Sequence, residues 1–406
     1  MTSRSLGAPF WRFWTASALA NVGDGIRLAA FPLLAASLTP NPLSVAMVVA
    51  AQSLPWLVTG LAAGVLADRR PPRTLVAGAD LGRVLVLGLL VVAVAGEWAT
   101  VGLVAVCAFL LGVGETVRDT AAQTAIPRLV PSLLLERANG RLVAAEVVGN
   151  EFLGPPLGSA LFVAGAALPF MVNGASLALA VMLVVSLPLS LVGTPPATEG
   201  QSETPRGVRG GIAWLARHRL LRTLVVVTAA VVAADSAWYA ILVLYTRDVL
   251  EVGAEGFGML LATGALGGVL GSVIADRVIG GRRHRVVLGV SIAVTTGVPP
   301  VLLVAPHVWA AVVVVVATSG AFAVFNVAAL SMRHRLVPDG LVGRVTAATR
   351  TVVYGAGAAG AVGGGAVAAA SGLHAPFAAC GVVAVVATVA WWCVSRGAWP
   401  EESPTG

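Results

Sequence analysis

The sequence predicts an all-α membrane protein: twelve transmembrane helices arranged as two pseudo-symmetric six-helix halves. Three observations carry this. Of 406 residues, 57% are hydrophobic and only 11% charged, too few charges to coat a surface that faces water. Apolar stretches of about 20 residues, the length a bilayer core demands, recur from one end of the chain to the other. Finally, the chain echoes itself. Gly60-Leu-Ala-Ala-Gly64-Val-Leu-Ala-Asp68-Arg69 returns about 208 positions on as Gly268-Val-Leu-Gly-Ser272-Val-Ile-Ala-Asp276-Arg277, and Arg128-Leu-Val-Pro131 returns as Arg335-Leu-Val-Pro338. Arg, Asp and Pro are scarce in this alphabet, so two echoes at nearly one offset mark a duplication.

The apolar stretches place spans 1 to 6 at 11–38, 44–67, 74–95, 99–121, 139–165 and 168–192. Spans 7 to 12 follow at 220–246, 256–279, 286–305, 308–331, 344–370 and 373–395. The expected organisation is therefore an N-terminal six-helix bundle over 1–192, a cytoplasmic linker over 193–219 and a C-terminal six-helix bundle over 220–406. The linker is short, polar and rich in Pro, Gly, Ser and Thr. Its end, from Trp214 to Arg222, has the composition of an amphipathic stretch lying on the membrane surface.

The formal charge of +7 is carried entirely by arginine, since the chain has no lysine among its 26 basic residues. Arg247 falls in an external loop, and Arg27, Arg83, Arg118 and Arg350 fall inside spans. Every other arginine falls on the opposite side from Arg247, which by the positive-inside rule is the cytoplasm, with both termini there. This asymmetry accounts for the charge without nucleic-acid binding. Span 1 is not a cleaved signal, because Asp24 and Arg27 interrupt its middle. Cys107, Cys380 and Cys393 lie within spans and read as buried structural thiols. The five histidines (His218, His284, His307, His334, His374) have no partner at ligand spacing, so no metal or other cofactor is implied.

The charges that enter the membrane carry the chemistry. A charge at mid-bilayer costs about 2.5–3.5 kcal/mol on insertion scales. Leaving Asp24, Arg27, Glu151 and Asp235 in lipid would thus cost on the order of 10 kcal/mol. They must pair or face a hydrated cavity. Asp24 and Arg27 share a helical face with Asn21, which offers either a satisfied structural pair or a working site. Asp235 has no cation nearby in its helix but has Trp238 and Tyr239 one turn on, a carboxylate with two aromatics that suits an amphipathic cation or a proton-binding acid. Glu115, Arg118 and Asp119 cluster toward the cytoplasmic end of span 4. Glu146 and Asn150 lie in span 5 with Glu151, which at α-helical spacing shares a face with Gly154, Pro155 and Gly158 and so belongs near a helix–helix seam. There it could make a structural hydrogen bond or take part in coupling. No nucleophile, base and oxyanion donor occur together and no nucleotide-binding loop is present, so an enzyme is not expected and an ion gradient is the expected energy source.

With these residues in place, the whole chain resembles the major facilitator superfamily. Gly64-Val-Leu-Ala-Asp68-Arg69-Arg70-Pro71-Pro72-Arg73 is similar to that superfamily's signature loop between spans 2 and 3, with Pro71 and Pro72 where Gly and a basic residue are usual. The resemblance implies a cytoplasmic charge latch of Gly64, Asp68, Arg69 and Arg73, repeated at Asp276 and Arg277, that stabilises the outward-facing state. Gly140 and Gly149, followed by Gly154-Pro155-Pro156-Leu157-Gly158-Ser159, resemble the span 5 motif of proton-coupled exporters. Asn150 stands where a central Gly is usual, and Ser159 replaces the last one. Asn21-Val-Gly-Asp24-Gly, Phe31-Pro32-Leu33 and Ala138-Asn139 resemble the twelve-span drug:proton antiporter branch that includes macrolide and enterobactin exporters.

What this implies is alternating access by two rocking six-helix halves. The central cavity would be lined by Asp24, Arg27, Glu115, Glu151, Asp235, Trp238, Tyr239 and Asn326. The expected function is proton-coupled export of an amphipathic or cationic small molecule (a drug, natural product or siderophore). The protein would be a monomer in a bacterial plasma membrane, with protons, lipid and the transported molecule as partners. Two alternatives share the fold: an ion-coupled importer of a small metabolite, and a non-transporting membrane scaffold or sensor.

Overall fold

A computed structural model of the chain describes residues 6–187, 215–280, 284–337 and 341–398; most of the linker falls outside them, whereas the amphipathic stretch expected from Trp214 to Arg222 falls within them but for Trp214 and is helical on either side of His218. Every regular element among the described residues is helical. Eleven of these helices are long and apolar enough to cross a membrane. They include span 1 (Gly7–Leu38), span 2 (Pro42–Arg69), span 3 (Pro72–Ala95), span 4 (Val101–Leu129) and span 6 (Leu168–Val185). In the second half span 8 is Ala254–Gly280, span 10 Val308–Leu336, span 11 Val342–Ser371 and span 12 Ala375–Ala398. Several helices outrun the apolar stretches, span 4 by eight residues at its C-terminal end, because hydropathy marks only the apolar part while the backbone remains helical beyond it.

Three spans are interrupted. Span 7 runs as Arg219–Tyr239 and then Leu242–Asp248, and span 9 as His284–Gly297 and then Val301–Val304 around Pro299-Pro300. Span 5 is the missing twelfth crossing. It consists of helix Leu135–Glu146, a π-helical turn Val147–Leu153 and helix Gly154–Ala164, three contiguous pieces each shorter than a crossing. Helix starts are capped by side chains where the sequence allows. Asn41 accepts from the Leu43 amide ahead of span 2, and Thr100 from Leu103 ahead of span 4. His218 and His307 accept through Nδ1 from the Leu221 and Ala310 amides, which gives two of the scattered histidines a structural role.

The chain divides into two compact units. The first comprises residues 1–202 with 246–262, the second 203–245 with 263–406. Within the first, span 1 packs on spans 5 and 6, and span 3 on spans 4 and 6. Within the second, span 7 packs on spans 11 and 12, and span 9 on spans 10 and 12. These four pairings in one unit are those of the other with six added to each span number, which is the duplication seen as packing.

Glycine sets the closest approaches. In the first unit the carbonyls of Gly149 and Asn150 lie 2.7 and 2.5 Å from where a Cβ on Gly25 would stand. Gly154 and Gly158 meet the backbone of Gly25 and Ile26 equally tightly. In the second unit Gly360 and Gly364 of span 11 sit against the carbonyls of Ala233 and Ala237 in span 7. Each seam excludes any side chain larger than hydrogen.

Candidate functional site: a buried charge chain in the first unit

Three spans of the first unit each carry an acid three residues before an arginine: Asp24 and Arg27, Asp80 and Arg83, Glu115 and Arg118. That spacing puts both groups on one helical face, and the three faces converge. Arg27 Nε donates to Asp24 Oδ1 at 3.0 Å, and its Nη2 donates to Glu115 Oε2. Arg83 joins Asp24 Oδ1 through Nη2 and Asp80 Oδ1 through Nη1, the latter at 3.2 Å. Arg118 Nε reaches Asp80 Oδ2 at 3.2 Å and its Nη1 reaches Asp119 Oδ1 at 3.1 Å.

The result is one continuous run, Glu115–Arg27–Asp24–Arg83–Asp80–Arg118–Asp119, alternating in sign from end to end. Both ends lie on span 4, one helical turn apart. Burial is graded along the run. The Asp80 and Arg83 side chains are 0% and 1% exposed, Asp24 is 4%, and the terminal Glu115 and Asp119 are 16% and 32%. Four carboxylates face three guanidiniums, so the fully ionised run carries one negative charge in excess. A single proton, or one cation, neutralises it. The more accessible carboxylates are the two ends, which have only one cationic neighbour each.

Asp24, Arg27 and Glu115 are thus brought together, and Asp24 with Arg27 is the local pair its spacing offers. Asp80 and Arg83 were not singled out from the sequence, although Asp80 is the most deeply buried member. The signal that finds them is the threefold recurrence of acid-x-x-Arg on three different spans.

Glu151 requires correction. The α-helical spacing placed it on the seam with Gly154, Pro155 and Gly158. The π turn bonds i to i+5 and so takes an extra residue per turn, and the register slips between Glu151 and the glycines. Gly149, Gly154, Pro155 and Gly158 are buried, while Glu151 and Glu146 are exposed. The four motif residues nonetheless act together, since their glycines press span 5 onto Val22, Gly25 and Ile26, the part of span 1 that carries Asp24 and Arg27.

In the second unit Asp235 is half-buried and joins no salt bridge among the described residues. Trp238 is buried, with its ring 5.7 Å from Tyr239 and 5.9 Å from Phe377, so one of the two expected aromatics belongs to the core. Asn326 is exposed on span 10. At the loop between spans 2 and 3, Asp68 and Arg69 are exposed, as are Asp276 and Arg277 in the repeat, and none of them forms a salt bridge among the described residues. Arg73 instead donates to the Val185 carbonyl and Arg12 to that of Ser186 at 3.4 Å, two cations on the C-terminal carbonyls of span 6. Gly64 is half-buried with open space beside it. Cys107 and Cys380 are buried as expected, but Cys393 is exposed on span 12. No group of three or more metal-ligating side chains exists among the described residues.

Known proteins bear on this arrangement. A family model described as transmembrane secretion effector matches residues 7–402. The chain is similar to the multidrug efflux pump Tap of Mycolicibacterium fortuitum, 28% identical over 391 residues covering 93% of each chain. It is also similar to Tap of Mycobacterium tuberculosis, 27% identical over 380 residues, 89% of this chain and 87% of that one. Among solved structures it matches the nucleoside transporter NupG with a TM-score of 0.78 at 12% identity, over 95% of this chain and 99% of that one. A bacterial homologue of the iron transporter ferroportin, in its inward-facing state, matches with a TM-score of 0.76 at 16% identity, over 97% and 100%. At such identities these two likenesses speak for the fold alone.

Proposed function

Because the chain belongs to the transmembrane secretion effector family of the major facilitator superfamily, we propose that it is a proton-coupled exporter of amphipathic or cationic small molecules that works by alternating access. That it is a multi-pass membrane transporter follows from the family and the fold. Proton coupling, the direction of transport and the substrate class are the proposal.

The observation that carries it is the charge chain with one carboxylate in excess. A buried run with a net charge is poorly tolerated, and it gains when either a proton or a cation comes to its ends. Glu115 and Asp119, the accessible ends, are the groups a proton would reach. A proton and a substrate cation that cannot both be accommodated by one excess charge exclude each other, and mutual exclusion at a site exposed alternately to the two sides is antiport. Asp235, in no salt bridge among the described residues, is a further carboxylate that would hold a proton or a cation. The relatives named multidrug efflux pumps favour export and an amphipathic cargo. The arginine asymmetry of the loops supports a plasma-membrane protein with both termini in the cytoplasm.

The test uses inside-out vesicles holding a proton gradient and a pH-sensitive dye, challenged in turn with lipophilic cations, macrolides and catechol siderophores. Substrate-induced proton release by the native chain, lost in Glu115→Gln at equal membrane content, is the expected result. Transport of a compound without proton movement would overturn the coupling. Proton movement in which substrate and proton travel the same way across the membrane would make the protein an importer.

A further inference from the structure

The second unit holds a cavity that the charge chain does not explain. It measures about 160 Å³ and lies between spans 7, 10 and 11, lined by Thr228 of span 7, Phe325, Asn326 and Arg333 of span 10, and Arg350 and Tyr354 of span 11. Asn326, Ala329 and Arg333 fall at i, i+3 and i+7, and Arg350 and Tyr354 at i and i+4. Each helix therefore turns one face to the space.

Its charge balance is one-sided. Two guanidiniums line it and no carboxylate does. Neither Arg333 nor Arg350 enters a salt bridge among the described residues. The nearest acid along span 7, Asp235, is seven residues beyond Thr228, roughly 10 Å along the helix axis. This is the reverse of the first unit's buried run, where Arg27, Arg83 and Arg118 each meet a carboxylate. Both guanidiniums sit at the ends of their apolar windows, Arg333 closing Val308–Arg333 and Arg350 two residues into Ala348–Ser371, and an anion between two like charges offsets their mutual repulsion.

The polar groups sort by what they have left to give. Thr228 and Thr349 already donate their hydroxyls to the Leu224 and Val345 carbonyls of their own helices, at 2.7 and 2.8 Å. The donors still available are the forks of Arg333 and Arg350 and the side-chain amide of Asn326. The volume limits the occupant, because sites for drug-sized molecules run to about 300–1,000 Å³ and this one fits only a headgroup. Phe325 and Tyr354 offer apolar and aromatic surface to whatever carries that headgroup.

We infer that this cavity binds an oxyanion, a carboxylate or phosphate borne by an amphipathic molecule, with Arg333 and Arg350 as its counterions and Asn326 as an orienting donor. Planar guanidinium forks suit bidentate contact with such groups. The site differs from that of the export reading in sign and in location, and stands without it. The oxyanion can come from a soluble anion or from an anionic phospholipid whose headgroup reaches in from the bilayer.

The experiment places the purified full chain in lipid nanodiscs and follows unfolding by tryptophan fluorescence. In phosphatidylcholine discs, sodium phosphate is titrated against sodium chloride at matched ionic strength. In parallel, phosphatidylglycerol replaces part of the phosphatidylcholine. Stabilisation by phosphate beyond the chloride control identifies a soluble oxyanion as a sufficient ligand, and stabilisation by phosphatidylglycerol alone identifies the lipid headgroup. In either case Arg350→Gln and Arg333→Gln are expected to weaken the effect about tenfold or more. Arg350→Lys, which keeps the charge and loses the fork, falls between. Asn326→Ala, at an exposed position that does not threaten folding, gives a smaller loss. Absence of stabilisation by both probes, or equal stabilisation in all the variants, overturns the inference.

Discussion

Asp80 is the residue on which the charge chain turns. It is fully buried and holds Arg83 and Arg118 at once, so Asp80→Asn leaves two guanidiniums side by side with one carboxylate fewer between them. Stranding a buried charge costs about 3–5 kcal/mol, and the expected outcome is a large fall in the yield of monodisperse protein on size exclusion in mild detergent. Glu115→Gln removes an end and leaves every interior pair intact, so folded yield is expected to stay near native while coupling is lost. If the two variants fold equally well, the grading of the chain from core to ends has no energetic meaning. Asp235→Asn strands no arginine and is expected to abolish proton-driven efflux with expression unchanged. Efflux that persists in this variant would confine coupling to the first unit.

The helix seams make their own predictions. Gly158→Val directs a branched side chain into the Ile26 carbonyl and Gly364→Val into that of Ala237. Overpacking of this kind costs typically about 1–3 kcal/mol, and both are expected to lower the unfolding temperature in detergent. Gly78→Ala, where a Cβ meets nothing within 4 Å, is expected to be neutral or to stabilise by roughly 0.5–1 kcal/mol through helix propensity. A result in which Gly158→Val is as harmless as Gly78→Ala would refute the close packing of span 5 on span 1. These seams also show how far the sequence could be read. Gly154, Pro155 and Gly158 were legible as a packing face because small residues at helical spacing have one common use, while Gly149 entered only through the motif resemblance. Glu151 was misplaced beside them because the π turn leaves no mark in composition; nothing in Val-Val-Gly-Asn-Glu-Phe-Leu announces the extra residue. The interlocking of Asp24, Asp80 and Glu115 with each other's arginines was invisible for a related reason. Spacing shows which groups share a helix face, but the convergence of three faces is tertiary.

At the scale of the molecule, duplication was the most legible property, since the echoed Asp-Arg and Arg-Leu-Val-Pro segments correspond to units that share four helix pairings. The expected orientation is testable directly. A fluorescent protein fused to the C-terminus should light up in the bacterial cytoplasm, whereas alkaline phosphatase fused there should remain inactive, and the opposite pair of results would reverse the topology. The run of seven charges has a mechanical consequence as well. It leaves span 4 at Glu115, passes through spans 1 and 3, and returns to span 4 at Arg118 one turn away, so it closes on itself. Three rods joined by such a loop form a braced triangle. No rod can slide or roll against the other two without opening at least two ionic joints together, so this part of the first unit is built to carry load as a single stiff body, and flexing is left to the spans outside the brace.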